Sequence, residues 1–250
     1  MKEEFMLDLK HVSFGVETET GTKGIIHDVS LHFDDDKFYV ITGPNGGGKS
    51  TLAKLIVGID KPDEGQIFYY GEDITGLSIT ERAKKGISYA MQAPVKFKGI
   101  KVIDLLRIAS GKTLSRGECC AYLSEVGLCA NDYVDRQVNA ELSGGELKRI
   151  EIATVIARGT KLSVFDEPEA GIDLWSFQNL IRVFERMQKK LNGTMIIISH
   201  QERILKIADE IIVIADGKVV KQGPRDEILP TLLGTDSAVT ACSELEKGEA

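Results

Sequence analysis

The sequence predicts an α/β fold: a mostly parallel sheet covered by helices, with an antiparallel β-subdomain and an inserted helical subdomain. Three observations predict it. Strand-length apolar runs such as Phe38-Tyr39-Val40-Ile41-Thr42 alternate with helical stretches. The segment before them alternates apolar with polar residues instead. Residues from about 101 to 141 carry helical periodicity with no obvious strand.

Taken in order, Leu7 to Phe14 and Val29 to Phe33 read as antiparallel strands with one buried face. The polar, glycine-bearing stretch from Glu17 to Gly24 reads as the exposed hairpin loop between them. Phe38 to Thr42 opens the parallel core, and Ile87 to Met91, Leu162 to Phe165, Met195 to Ser199 and Ile211 to Ala215 supply its further strands. The helical subdomain is expected over about residues 93–158, broken near Gly111 and Asn131. At 250 residues, 42% hydrophobic and 28% charged, the chain is long enough to bury one full core, and a single domain over 1–234 is expected. Residues 235–250 are polar without an apolar period and are expected to be flexible.

Composition narrows the function classes. A formal net charge of −7 gives no reason to expect nucleic acid as a partner, because its phosphates reward concentrated Lys and Arg. The longest apolar runs are strand-sized, far below the about 20 residues that cross a bilayer, so the chain is not expected to span a membrane. Its first residues are acidic and lack a secretory apolar stretch, which predicts a cytoplasmic location. Cys119, Cys120, Cys129 and Cys242 follow no metal-ligand spacing and receive no site.

The chemistry starts at Gly43-Pro44-Asn45-Gly46-Gly47-Gly48-Lys49-Ser50-Thr51, which satisfies the phosphate-loop pattern directly after a buried strand and before a helix. Glycines let backbone N–H groups converge on phosphate oxygens, and the helix that follows turns its positive end to the anion. Lys49 is placed for the β- and γ-phosphates of ATP, Ser50 for Mg²⁺, and Thr51 for the α-phosphate. A second strand ends in Asp166-Glu167, adjacent carboxylates at the sheet edge where ligands bind in open α/β folds. Asp166 suits a Mg²⁺-organising role and Glu167 a general base for attacking water. His200 closes another strand and is expected at the same edge, where it would contact the γ-phosphate. Leu142-Ser143-Gly144-Gly145-Glu146 precedes an apolar-periodic helix, with Ser143 as its N-cap.

In that order these motifs resemble the ATP-binding-cassette ATPases along nearly the whole chain. The resemblance implies a RecA-like core, Gln92 as the Q-loop glutamine at the metal and the γ-phosphate, and a D-loop ending in Asp173. It also implies a head-to-tail homodimer in which Ser143, Gly144 and Gly145 of one copy close over ATP held by the other. Many members place a Tyr near Val16 to stack on adenine, and here Val16 stands there with Phe14 two residues away. Within the family, Gln92 to Val95, Val138-Asn139, Ser143 to Arg149, Asp166 to Asp173 and Gln201 to Leu205 are similar to the SufC-type ATPases of iron–sulfur cluster assembly. That branch implies a SufB- or SufD-like scaffold as partner. The alternatives are the ATP-binding subunit of a membrane transporter and a regulatory module that binds ATP without turnover. A further expectation pairs Lys148 with the Glu167 carboxylate in the resting monomer, keeping that carboxylate from water until dimerisation.

Overall fold

The computed structural model describes residues 5–19, 21–95, 97–139, 141–190 and 193–234. Lys96 in the expected Q-loop and the polar tail 235–250 therefore lie outside the described residues. Strands β1 (Leu7–Thr18) and β2 (Gly21–Phe33) pair antiparallel, and the ladder continues through Glu17↔Thr22 to Thr18↔Gly21. The long exposed loop expected over 17–24 is thus mostly strand. Its side chains are solvated on both faces, but cross-strand N–H to C=O bonds need no buried side chain to form.

The chain then enters the core at β3 (Phe38–Thr42), crosses α1 (Lys49–Val57), and returns to the first sheet as β4 (Glu64–Tyr69) and β5 (Glu72–Asp73). Helix α2 (Ile79–Lys84) leads to β6 (Ile87–Ala90). Four helices follow before the next strand: α3 (Val102–Ser110), α4 (Arg116–Glu125), α5 (Ala130–Tyr133) and α6 (Gly144–Arg158). Helices α4 and α6 both start with a reciprocal Ser–Glu capping box, Ser115 with Glu118 and Ser143 with Glu146. The core resumes with β7 (Leu162–Asp166), α7 (Leu174–Lys190), β8 (Thr194–Ile198), α8 (Glu202–Leu205) and β9 (Glu210–Ala215). An antiparallel edge strand, β10 (Lys218–Pro224), and α9 (Arg225–Leu233) complete it.

Two sheets result, a four-stranded one ordered β2-β1-β4-β5 and a six-stranded one ordered β10-β9-β3-β8-β7-β6. The central strands are mostly apolar because both their faces are covered. Along β3, Phe38 and Val40 join the cluster that faces α3, α4, α6 and α7, whereas Tyr39 and Ile41 join the cluster that faces α1 and the other sheet. Strands β8 and β9 divide in the same way, Ile197 against Ile196 and Ile211 against Ile212. Each such side chain, fully buried, favours the fold by about 1.5–3 kcal/mol. The parallel register sets Ile41 beside Ile198 and Asp166 beside Ile198, so the ends of β3, β7 and β8 share one edge. Every strand-end motif anticipated from the sequence emerges there.

Candidate functional site

The loop 43–48 is shaped by its glycines. Gly43 has φ 132°, and a Cβ on it would lie 1.9 Å from the Ile214 carbonyl oxygen of β9. Gly48, at φ 99°, is the N-cap of α1, and a Cβ there would press on Ile26 at 2.8 Å. Any side chain at either position would push the loop off the sheet edge. The loop is further pinned by Gly47 N–H to Pro44 O at 3.1 Å and by Gly217 N–H to Gly47 O at 3.1 Å. Lys49 is buried, and its Nζ curls back to donate to the carbonyl oxygens of Gly43 and Pro44, both at 2.8 Å. Desolvation lowers its pKa, while Glu167 and Asp166 pull the other way. A cation held by two backbone carbonyls inside a loop of N–H groups is poised for an anion that those carbonyls only imitate.

Across the edge, Ser50 Oγ donates to Asp166 Oδ1 at 3.0 Å and Tyr89 Oη donates to Asp166 Oδ2 at 3.0 Å. Asp166 is 2% exposed, and burial pushes its carboxyl above the usual range. Among the described residues its side-chain hydrogen-bond partners are these two hydroxyls, which together with the nearby Lys54 charge oppose the effect of burial. A hydroxyl and one carboxylate are hard oxygen donors suited to Mg²⁺, which completes its shell with water and substrate phosphates. No cluster of three His, Cys, Asp or Glu side chains able to hold a metal occurs among the described residues.

Glu167 has φ 44°, a left-handed conformation costly for a residue with a Cβ. Four hydrogen bonds hold it there, one of them from the Ala170 N–H to its carbonyl at 3.0 Å. Its N–H donates to Ile198 O at 3.0 Å, its carbonyl accepts from Lys148 Nζ at 2.8 Å, and its Oε2 accepts from Gln92 Nε2 at 2.6 Å. The expected pairing of Lys148 with the Glu167 carboxylate is therefore corrected: the ammonium binds the backbone carbonyl and the Gln92 amide occupies the carboxylate. The reason is geometric, because the left-handed turn swings the carbonyl toward α6 and the side chain toward the loop after β6. His200 Nε2 stands 3.9 Å from Glu167 Oε1, and desolvation together with Lys49 lowers its pKa, which favours the neutral imidazole.

The structure thus brings Lys49, Ser50, Gln92, Asp166, Glu167 and His200 to one edge. The Gln92 amide is turned to Glu167, and no hydrogen bond among the described residues joins it to Ser50 or Asp166. Ser143, Gly144 and Gly145 are not gathered there. Ser143 and Gly144 are exposed at the start of α6 and Gly145 is half-buried, and the bonds of this turn include the capping box, Tyr133 Oη to Glu146, and Arg149 Nε to the Gly145 carbonyl at 3.2 Å. Asp173 is exposed just before α7. Sequence reasoning did not single out Tyr89 as an Asp166 partner, nor Glu151, whose carboxylate accepts the Met91 N–H at 3.1 Å. Tyr89 was legible only as a strand residue, since its reach to Asp166 follows from the pairing of β6 with β7.

Such a phosphate loop, acidic strand end and exposed capped glycine turn on a two-sheet α/β frame define a nucleotide-binding cassette. The family model described as ABC transporter matches residues 26–170, more than half of the chain, and the chain belongs to that family. An uncharacterized ABC transporter ATP-binding protein of Methanocaldococcus jannaschii is 38% identical over 83% of this chain and 86% of its own length. The energy-coupling factor transporter ATP-binding protein EcfA1 of Mycoplasma mobile is 30% identical over 90% of this chain and 82% of its own. A probable ATP-dependent transporter, ycf16, of Pyropia yezoensis is 32% identical over 87% and 91%. Among solved structures, a dimeric ATP-binding cassette bound to ADP and Pi in a post-hydrolysis state superposes with a TM-score of 0.79 at 21% identity, covering 88% of this chain and 99% of that one. The chain is accordingly an ATPase that takes ATP with Mg²⁺. No helix among the described residues is long and apolar enough to cross a membrane.

Proposed function

We propose that this chain is the ATP-binding and ATP-hydrolysing subunit of a two-cassette machine, in which two copies close over ATP and act on a separate partner. The observation that carries it is the open glycine turn. Among the described residues, and apart from the chain neighbours and the helix's own backbone, nothing lies within 4 Å of where a Cβ on Gly144 or Gly145 would be, so the packing of these residues does not require glycine there. A capped helix N-terminus kept free of side chains is an anion site awaiting a phosphate from outside the chain. The γ-phosphate held by Lys49 of a second copy supplies one.

In this reading Lys49 leaves the Gly43 and Pro44 carbonyls for the β- and γ-phosphates, and Thr51 takes the α-phosphate. Ser50 and Asp166 hold Mg²⁺, which when bound screens the phosphate charge. Gln92 keeps the Glu167 carboxylate oriented through Oε2, Glu167 accepts a proton from the attacking water, and neutral His200 orients the γ-phosphate. Asp173 lies ahead of α7 in reach of a second copy. The names of several relatives favour a membrane transporter as the machine, with this chain docked on a membrane subunit from the cytoplasmic side. A second reading, a SufC-type ATPase driving a SufB- or SufD-like scaffold in iron–sulfur cluster assembly, is favoured by the Glu146-Leu147-Lys148-Arg149 and Ala170-Gly171-Ile172-Asp173 segments. Affinity purification from the native cell extract, with membranes separated from the soluble fraction, tests both. An integral membrane permease as the co-purifying partner establishes transport, and a soluble scaffold that stimulates ATP turnover establishes the second reading.

A further inference from the structure

Glu151 lies outside every motif considered so far, yet it touches the site at one remove. It sits in the interior of α6, three residues after Lys148, so both side chains leave the same face of the helix. That face is turned to the catalytic edge: Lys148 Nζ donates to Glu167 O at 2.8 Å, and a Glu151 carboxylate oxygen accepts the Met91 N–H at 3.1 Å. Met91 is the first residue beyond β6, where the ladder to β7 has ended and its N–H has no strand to bond. The next residue is Gln92, whose amide grips the Glu167 carboxylate at 2.6 Å.

We infer that Glu151 is a positioning residue for ATP hydrolysis: by fixing the Met91 N–H it sets where Gln92 stands relative to Glu167, and it ties that setting to the helix that starts at Ser143. Helix α6 then has two tethers to the catalytic edge of its own chain, Lys148 on Glu167 and Glu151 on Met91, the residue before Gln92. A shift of α6 when its N-terminus meets the partner's nucleotide is transmitted to Gln92 through a single hydrogen bond. An acceptor is needed for this, since an aliphatic side chain at 151 would leave the half-buried Met91 N–H without this partner. A charge is not needed, because glutamine offers the same oxygen at the same reach.

The inference rests on Gln92 acting at Glu167, and its test separates the two. Steady-state ATPase assays with Mg-ATP compare the full chain with Glu151→Leu, Glu151→Gln, Gln92→Ala and the Glu151→Leu/Gln92→Ala pair. Thermal melts confirm folding, and Glu151→Ala replaces the leucine variant if that one misfolds. Expected is a fall in kcat of about tenfold for Glu151→Leu with KM for ATP changed by less than about twofold, the signature of lost positioning and not of lost binding. Glu151→Gln should stay within about twofold of the parent, and Glu151→Leu should cost nothing further once Gln92 is gone. If Glu151→Gln falls as far as Glu151→Leu, or if the two losses multiply in the double variant, Glu151 does not act through the Met91 N–H and Gln92. If Gln92→Ala alone keeps the parental kcat, the assignment of Gln92 fails and this proposal with it. A Gln92→Ala loss beside an unimpaired Glu151→Leu overturns this proposal alone.

Discussion

Glu167 shows how much one residue's surroundings decide. Its left-handed backbone puts the carbonyl on Lys148 and the carboxylate on Gln92, so the free chain already fixes the direction of that carboxylate. Replacing it by glutamine should lower kcat by roughly 10²–10⁴ while leaving ATP affinity within a few fold, measured by steady-state turnover and nucleotide titration. Glu151 makes a different prediction, about pH. Burial pushes its carboxyl from an ordinary 4.5 up to about 7, with Lys148 and the Met91 N–H opposing. The folded chain therefore keeps this proton where the unfolded chain releases it, and stability present below pH 4.5 is lost as pH rises through 7. Glu151→Gln, which has no proton to lose, should be more stable than the parent by up to about 3 kcal/mol at pH 8, with the gain gone near pH 4. Urea melts at the two pH values would show a difference that is the same at both if this is wrong.

At the scale of elements, the phosphate-binding helix is secured from behind by Arg82 on α2. Its guanidinium is wholly buried and donates to the carbonyl oxygens of Leu55, Ile56, Thr75 and Leu77. Two of these belong to the last turn of α1, whose carbonyls have no partner within the helix. Burial lowers the Arg82 pKa to about 10, with Asp73 opposing, so the group still carries its charge at neutral pH and answers the negative end of that helix. Arg82→Met should cost about 3 kcal/mol or more in chemical denaturation, because four carbonyls, two of them in buried hydrogen bonds, each lose a bond at once. Ser143→Ala removes one half of a capping box and should cost about 1 kcal/mol by the same measurement. A Ser143→Ala chain that is as stable as its parent would mean that the exposed end of α6 frays without penalty.

For the whole molecule, the catalytic edge and the Ser143 turn are separate regions of one chain, each incomplete toward a nucleotide. In the proposed arrangement two copies related by a two-fold axis would complete both at once, and a closed pair is the symmetric way to do so. Nucleotide that bridges the copies stabilises the pair by mass action, and hydrolysis removes the bridge. Glu167→Gln with Mg-ATP should therefore run at twice the monomer mass in light scattering and return to monomer when ADP replaces ATP. A variant that stays monomeric at ATP concentrations saturating its site would overturn the two-copy arrangement.

Much of this was legible in the residues themselves. The phosphate loop, the Asp166-Glu167 strand end, the Ser143 cap and the alternation of strands with helices are all local patterns, set by chain geometry over a few residues: glycine freedom, helix capping, side-chain periodicity. They determined the fold class and the identity of the candidate site. What depends on how distant segments meet was not legible. The hairpin 17–24 looked like a loop because its side chains are polar, yet its backbone forms a ladder with a strand across the turn. Lys148 was matched to the right residue but the wrong group, because only the left-handed turn at Glu167 decides that the carbonyl faces α6. Tyr89 and Glu151 carry no motif at all. Their roles exist only because β6 pairs with β7 and α6 packs beside the end of β6, contacts between residues 60 and more positions apart that only the tertiary structure brings within hydrogen-bond reach.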